Sequence, residues 1–285
     1  ENVAYGPHER NVLDLWVAET PAPSPVVMYI HGGGFRGGDK TRLNRRVPEH
    51  YLDSGISFAA INYRLRPGTP IHEILRDAGR AVQFLRHQAP AWGLDKTRVG
   101  VFGGSAGAGA SLWLAFHDDL ADPDSPDPVL RESSRPVAAG SLNGQFTYDI
   151  LKWPDAFGED CLELTRDEDF PSTFYGMSGM DDLETAEGRR IRADVDMEGL
   201  VSPDDPPVFL YCGRPDVPPT DKGGLYHHPK HATLIKERCD EAGVPAEILL
   251  DTPRNRGGNV HTGAVYAFFL KHFGMEPAAS GVDPR

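Results

Sequence analysis

Along the chain, short runs of β-branched and apolar residues alternate with longer segments in which apolar residues recur every three or four positions. The runs at 26–30, 57–63, 99–102, 137–142, 208–212 and 246–250 have the length and composition of buried strands. Between them, Ile71, Ile74, Leu75, Ala78, Val82 and Leu85 share one face of a helix over 71–86. The segments 105–116, 232–242 and 262–273 have the same character. Strand then helix, repeated, predicts an α/β fold: a mostly parallel central sheet flanked by helices, because a parallel neighbour is reached only through a crossover. The run 11–17 reads as an added antiparallel edge strand.

The alternation breaks over 144–206, where Trp153, Phe157, Phe170, Phe174, Tyr175, Met177 and Met180 are scattered among Asp, Glu, Gly and Pro. This pattern predicts a cap-like insertion of short helices and loops. It precedes the strand at 208–212 and is long enough to cover the crevice at the carboxyl edge of the sheet, where open α/β folds bind ligands. The alternative is a peripheral excursion around its own small apolar cluster. The 285 residues are expected to form a single domain, 1–285, with 144–206 as its cap.

Charge and cysteine usage narrow the function classes. Lys and Arg number 29 against 42 Asp and Glu, a formal net charge of −13, so neutralising phosphates is not this surface's general business and nucleic acid is not an expected partner. No apolar run is long enough to span a bilayer. The chain reads as soluble, either cytoplasmic or exported after loss of a leader, with its oligomeric state open. Cys161, Cys212 and Cys239 are an odd count without C-x-x-C spacing, which argues against a disulfide framework or a zinc finger.

Two glycine-rich stretches carry the chemistry. Gly103-Gly104-Ser105-Ala106-Gly107 directly follows the strand at 99–102 and opens a helix, the context a nucleophile elbow requires. Small residues let the chain reverse tightly there, and the helix N-terminus aims its N–H groups at developing negative charge. Ser105 is then the nucleophile and the Ala106 N–H an oxyanion donor. His31-Gly32-Gly33-Gly34-Phe35 follows the strand at 26–30. Its glycines leave backbone N–H groups uncovered by any Cβ, which makes Gly33 and Gly34 the further oxyanion donors. A phosphate loop competes for 34–41, but Asp39 stands where Walker A needs glycine, and a carboxylate there repels phosphate.

These motifs, with Asn62-Tyr63-Arg64-Leu65-Arg66-Pro67 and Asp77 in the next helix, resemble the α/β-hydrolase fold and, within it, the H-G-G-G-bearing esterases of the hormone-sensitive-lipase type. The resemblance covers most of the chain. It implies a carboxylesterase that cleaves small-molecule carboxylic esters through an acyl-enzyme and a Ser-Asp-His triad, without metal or organic cofactor, and an Arg64–Asp77 contact tying loop to helix. Two departures point toward compact carboxylesterases, including carbohydrate-ester, feruloyl-type and kynurenine-formamidase-like enzymes: H-G-G-G already begins at His31, so the N-terminal part of the cap is expected to be short, and Gly104 replaces the usual acidic residue. Short acyl groups are therefore the expected substrates.

His261, in a glycine-rich stretch after the strand at 246–250, stands where this fold places its base. His31 is expected to order the oxyanion loop. His227, His228 and His231 invite a metal reading, but Pro229 interrupts them and no spaced carboxylate accompanies them, so no metal site is expected. For the acid, Asp204, Asp216, Asp221 and Asp251 compete. Asp216 is preferred, because Gly213-Arg214-Pro215-Asp216 places it just beyond the strand at 208–212 and resembles the family's G-x-x-D stretch; Asp221 is the rival. An amidase or formamidase using the same triad, and a non-catalytic binding protein of this fold, are the other functions that fit.

Overall fold

The computed structural model describes residues 1–250 and 260–276, with the backbone alone at Asp167, Val260 and His261. Eight strands form one sheet: β1 (Val3–Ala4), β2 (Val12–Trp16), β3 (Ser24–Ile30), β4 (Ser57–Ile61), β5 (Leu94–Gly104), β6 (Ala138–Leu142), β7 (Val208–Cys212) and β8 (Ala246–Leu250). Their spatial order is β1-β2-β4-β3-β5-β6-β7-β8. β2 runs antiparallel to β4, as the 11–17 pattern predicts, and β1 extends that edge. From β4 to β8 every pairing is parallel. β5 is longer than its apolar run suggests, because its polar first half pairs at Leu94 with Ser24 across a register shift.

Nine helices accompany the sheet among the described residues: α1 (Arg46–Leu52), α2 (Ile71–Trp92), α3 (Ala106–Phe116), α4 (Trp153–Phe157), α5 (Ala186–Asp194), α6 (Met197–Leu200), α7 (Lys222–Tyr226), α8 (Lys230–Ala242) and α9 (Val260–Phe273). α2 continues past the expected end at 86 and tolerates Pro90, with Gly93 closing it in a left-handed cap. Alternation along the strands divides the core in two. Val26, Met28 and Ile30 of β3 pack on the face covered by α2, α3 and α8, whereas Val27 joins Phe58, Phe102 and Tyr51 on the face covered by α1 and α9. The apolar residues of the 144–206 segment, among them Phe146, Trp153, Phe174 and Ile191, belong to the first of these clusters rather than to a separate one.

Gly100 shows how closely α9 approaches: a Cβ there would sit 2.6 Å from Phe269. Phe269 is fully buried, against Phe102, Phe268 and Phe273. Truncating it leaves a cavity under the sheet, so Phe269→Ala is expected to lower stability by about 3–5 kcal/mol in urea unfolding.

Candidate active site

The parallel strands all deliver their carboxyl ends to one edge, and Ser105 after β5 and the glycine loop after β3 meet there. Ser105 lies between β5 and α3 with φ 54° and ψ −117°, a conformation an L-residue adopts only when its surroundings impose it. The imposition is visible: the Ser105 N–H donates to Leu142 O at the end of β6 (2.9 Å), and a Cβ at Gly103 or Gly107 would overlap backbone of the turn or of β3. Ala106 is the first residue of α3, so its N–H has no intrahelical acceptor and is available to an oxyanion.

The loop after β3 lies against this turn. Gly33 and Gly34 have φ of 119° and 61°, and Phe35 follows at 59°. His31 Nδ1–H donates to Gly32 O (2.7 Å), and its ring stacks on Tyr63 with centroids 4.2 Å apart. His31 thus orders the loop from within, and burial holds its pKa below that of an ordinary imidazole. The Arg64 and Asp77 pairing also forms, at 2.9 Å, and ties the loop after β4 to α2.

A small, largely apolar pocket opens beside Ser105. Phe35, Tyr148, Trp153, Phe170, Phe174 and Tyr226 wall it, and Arg66 enters from the side. Four of these aromatics come from the segment between β6 and β7, which therefore shapes the pocket. On its other side, Ser105 faces an open cleft whose lining includes Asn143, Tyr211, Arg214 and His227.

The imidazole on Ser105 is that of His227. Its Nε2 lies 2.8 Å from Ser105 Oγ, and its Nδ1 lies 3.1 Å from Gly223 O, one turn back in α7. A carbonyl only accepts, so Nδ1 carries the proton and Nε2 receives the serine hydroxyl. Burial, with Arg214 nearby, lowers the pKa of His227 from the ordinary value, although the Gly223 carbonyl opposes the shift. The sequence placed His227 only in a histidine cluster. That cluster does not converge: His228 Nε2–H donates to Val217 O (3.0 Å), while buried His231 reaches Leu225 O (2.9 Å) and has its pKa pushed down to about 3 by burial. Among the described residues, no group of His, Cys, Asp and Glu is arranged to hold a metal ion.

The expected acid and base stand differently. Asp216 lies beyond β7 with its side chain 85% exposed and its Oδ1 3.5 Å from His228 Nε2, not beside His227. Asp221 caps α7 by accepting from the Gly224 N–H. Asp204 precedes β7 and binds Arg135 (2.7 Å). Asp251 lies outside the described residues, and of His261 only the backbone is described, at the start of α9.

A sheet whose parallel strands end in an elbow serine, with antiparallel strands at one edge and helices on both faces, defines an α/β-hydrolase, and the chain has that fold. Residues 13–139 match the BD-FAE family model, a region that runs from β2 through the glycine loop after β3 and the elbow into β6. The chain is similar to a probable isoprenylcysteine alpha-carbonyl methylesterase of Arabidopsis thaliana, 25% identical over 285 residues, covering 99% of this chain and 53% of that protein. It is also similar to the probable carboxylic ester hydrolase LipM of Mycobacterium tuberculosis, 28% identical over 167 residues, covering 57% of this chain and 38% of the other. The chain thus spans about half the length, or less, of these curated relatives. Among solved structures, the acetyl ester-xyloside bifunctional hydrolase from Caldicellulosiruptor lactoaceticus superposes with a TM-score of 0.70 at 20% identity, over 93% of this chain and 89% of the other. No helix among the described residues is long and apolar enough to cross a membrane.

Proposed function

We propose that this protein is a serine hydrolase that cleaves small carboxylic esters of short acyl chains through an acyl-enzyme. The observation that carries the reading is Ser105, held in a strained elbow at the carboxyl end of β5 with its hydroxyl on an imidazole and the glycine loop alongside. The Ser105 Oγ attacks the ester carbonyl as the base takes its proton. The oxyanion forms against the N–H groups of Gly33, Gly34 and Ala106, and the protonated base then gives its proton to the leaving alkoxide. Water repeats the sequence on the acyl-enzyme. The pocket's aromatic walls and its buried Arg66 favour a small acyl group over a long flexible chain, and the open cleft receives the other half of the ester. Esterase names among the relatives agree with this reading.

For the base we keep His261, with Asp216 as its acid. β7 and β8 run parallel to β5, so the end of β7, which precedes Asp216, and the end of β8, which precedes His261 in sequence, lie at the edge where Ser105 stands. A triad base hands its Nδ1–H to a carboxylate, whereas that of His227 goes to a backbone carbonyl. The second reading makes His227 the base of a Ser–His dyad, and the 2.8 Å contact in the base-competent tautomer favours it.

The test is a series of p-nitrophenyl esters of increasing acyl length, assayed beside matched amides and with an organophosphonate whose adduct is located by mass spectrometry. Esters turned over with a falling kcat/KM as the acyl lengthens, and a single adduct on Ser105, are expected. Amide turnover equal to ester turnover would make the protein an amidase, and a folded chain that neither reacts nor turns over would make it a binding protein. Activity is also expected to fall as pH drops through the protonation of the base, which must start neutral. An acid limb displaced below the ordinary imidazole range marks His227, whose buried ring resists protonation.

A further inference from the structure

Arg66, in the Tyr63-Arg64-Leu65-Arg66-Pro67 stretch, is buried in the aromatic pocket beside Ser105. A guanidinium there is costly unless its donors are used, and these are. Nε–H donates to Gly34 O (2.8 Å), Nη2 meets Glu168 Oε2 (3.0 Å), Nη1 is 3.4 Å from Thr173 Oγ1, and the group stacks over Phe174. Glu168 comes from the segment between β6 and β7, has its side chain only 5% exposed, and also receives Arg36 (2.9 Å) and Lys222 (2.8 Å). These cations hold its carboxyl below the usual carboxylate range against the opposing effect of burial.

The three glycine carbonyls of the oxyanion loop are each engaged, and by different means. Gly32 O accepts from His31 Nδ1–H, Gly33 O from the Arg36 N–H (3.0 Å), and Gly34 O from Arg66. A trans peptide holds its C=O and N–H in one plane on opposite sides, so fixing each carbonyl also fixes the N–H that follows. The first two bonds arise within the loop itself. The third comes from outside it and fixes the peptide between two left-handed residues, Gly34 and Phe35: it sets the Phe35 N–H directly and bears on the Gly34 N–H through the ψ of Gly34, which glycine would otherwise leave free. We propose that Arg66 is a positioning residue: it sets the oxyanion loop and Phe35 for the transition state, and Glu168 of the cap segment sets Arg66, so that the cap's seating determines the catalytic geometry. This inference rests on the serine-hydrolase reading above.

Arg66→Met, Arg66→Lys, Glu168→Gln and Ser105→Ala are to be compared on one short-acyl p-nitrophenyl ester, together with the affinity of an alkylboronic acid, which forms a tetrahedral adduct at a nucleophilic serine. Arg66→Met is expected to lower kcat by about 30-fold, equivalent to roughly 2 kcal/mol, with KM within about 3-fold. Boronate affinity should weaken in parallel. Glu168→Gln keeps an acceptor for Arg66 and should lose less, and the Arg66→Met/Glu168→Gln double variant should lose no more than Arg66→Met alone. Arg66→Lys, which keeps the charge but not the fork, should still show a reduced kcat, and it carries the same readout if the methionine variant does not fold. An unchanged kcat, a loss confined to KM, or a boronate affinity untouched while kcat falls would each overturn the proposal. An inactive Ser105→Ala beside normal Arg66 variants sinks this inference alone, whereas an active Ser105→Ala sinks the hydrolase reading beneath it.

Discussion

Ser105→Ala is expected to fold normally and to hydrolyse esters at least about 10⁴-fold more slowly than the wild-type chain. The Ser105 side chain contributes its hydroxyl to His227 and little to packing, while the backbone bonds that hold the elbow run through the Ser105 N–H and C=O and survive the substitution. Relief of the strained φ is no greater for alanine than for serine, so circular dichroism and the thermal midpoint should stay close to wild type. Steady-state kinetics and phosphonate labelling of the same preparation check the result. A labelled, active Ser105→Ala would move the nucleophile elsewhere in the pocket, and none of the assigned roles would stand.

Much of this architecture is legible in the sequence because each element obeys a short-range rule. The strand at 26–30 followed by His31-Gly32-Gly33-Gly34, and the strand at 99–102 followed by Gly103-Gly104-Ser105, name both halves of the site, since a strand end and a tight turn are local properties. The Arg64–Asp77 tie is similarly legible, with the helix beginning a few residues beyond the loop. What escapes is long-range. His227 reaches Ser105 across 122 positions of sequence, from the C-cap of a five-residue helix whose two glycines carry no amphipathic signal. Arg66 reads as one charge among many in an acidic chain, and only the fold reveals that its partners are Gly34, 32 residues back, and Glu168, 102 residues on.

His227, which lies on Ser105, and the proposed base His261 are the two candidates to take the serine proton, and their alanine variants are expected to differ by orders of magnitude. With His261 as base, His261→Ala lowers kcat by about 10⁴-fold or more, comparable to loss of the nucleophile, because residues acting as one unit are not additive. His227→Ala then costs less than about tenfold, since it removes a resting partner of Ser105 but leaves the base. Asp216→Asn should follow His261→Ala, falling by about 10⁴ through loss of the correct tautomer, the magnitude known from the serine-protease triad. Asp221→Asn should instead weaken only the cap of α7, by about 1 kcal/mol or less, because its carboxylate accepts from the Gly224 N–H and reaches no imidazole among the described residues. The reverse pattern is equally sharp. If His227→Ala is dead, His261→Ala is near wild type and Asp216→Asn is silent, the base is oriented by the Gly223 carbonyl rather than by a carboxylate. The acid limb of the wild-type pH profile would then lie below the ordinary imidazole range, as the burial of His227 requires. The single His227→Ala variant separates the two arrangements from a shared one: near-wild-type activity there shows that His227 takes no part in turnover, whereas a large loss in both single variants shows a shared role.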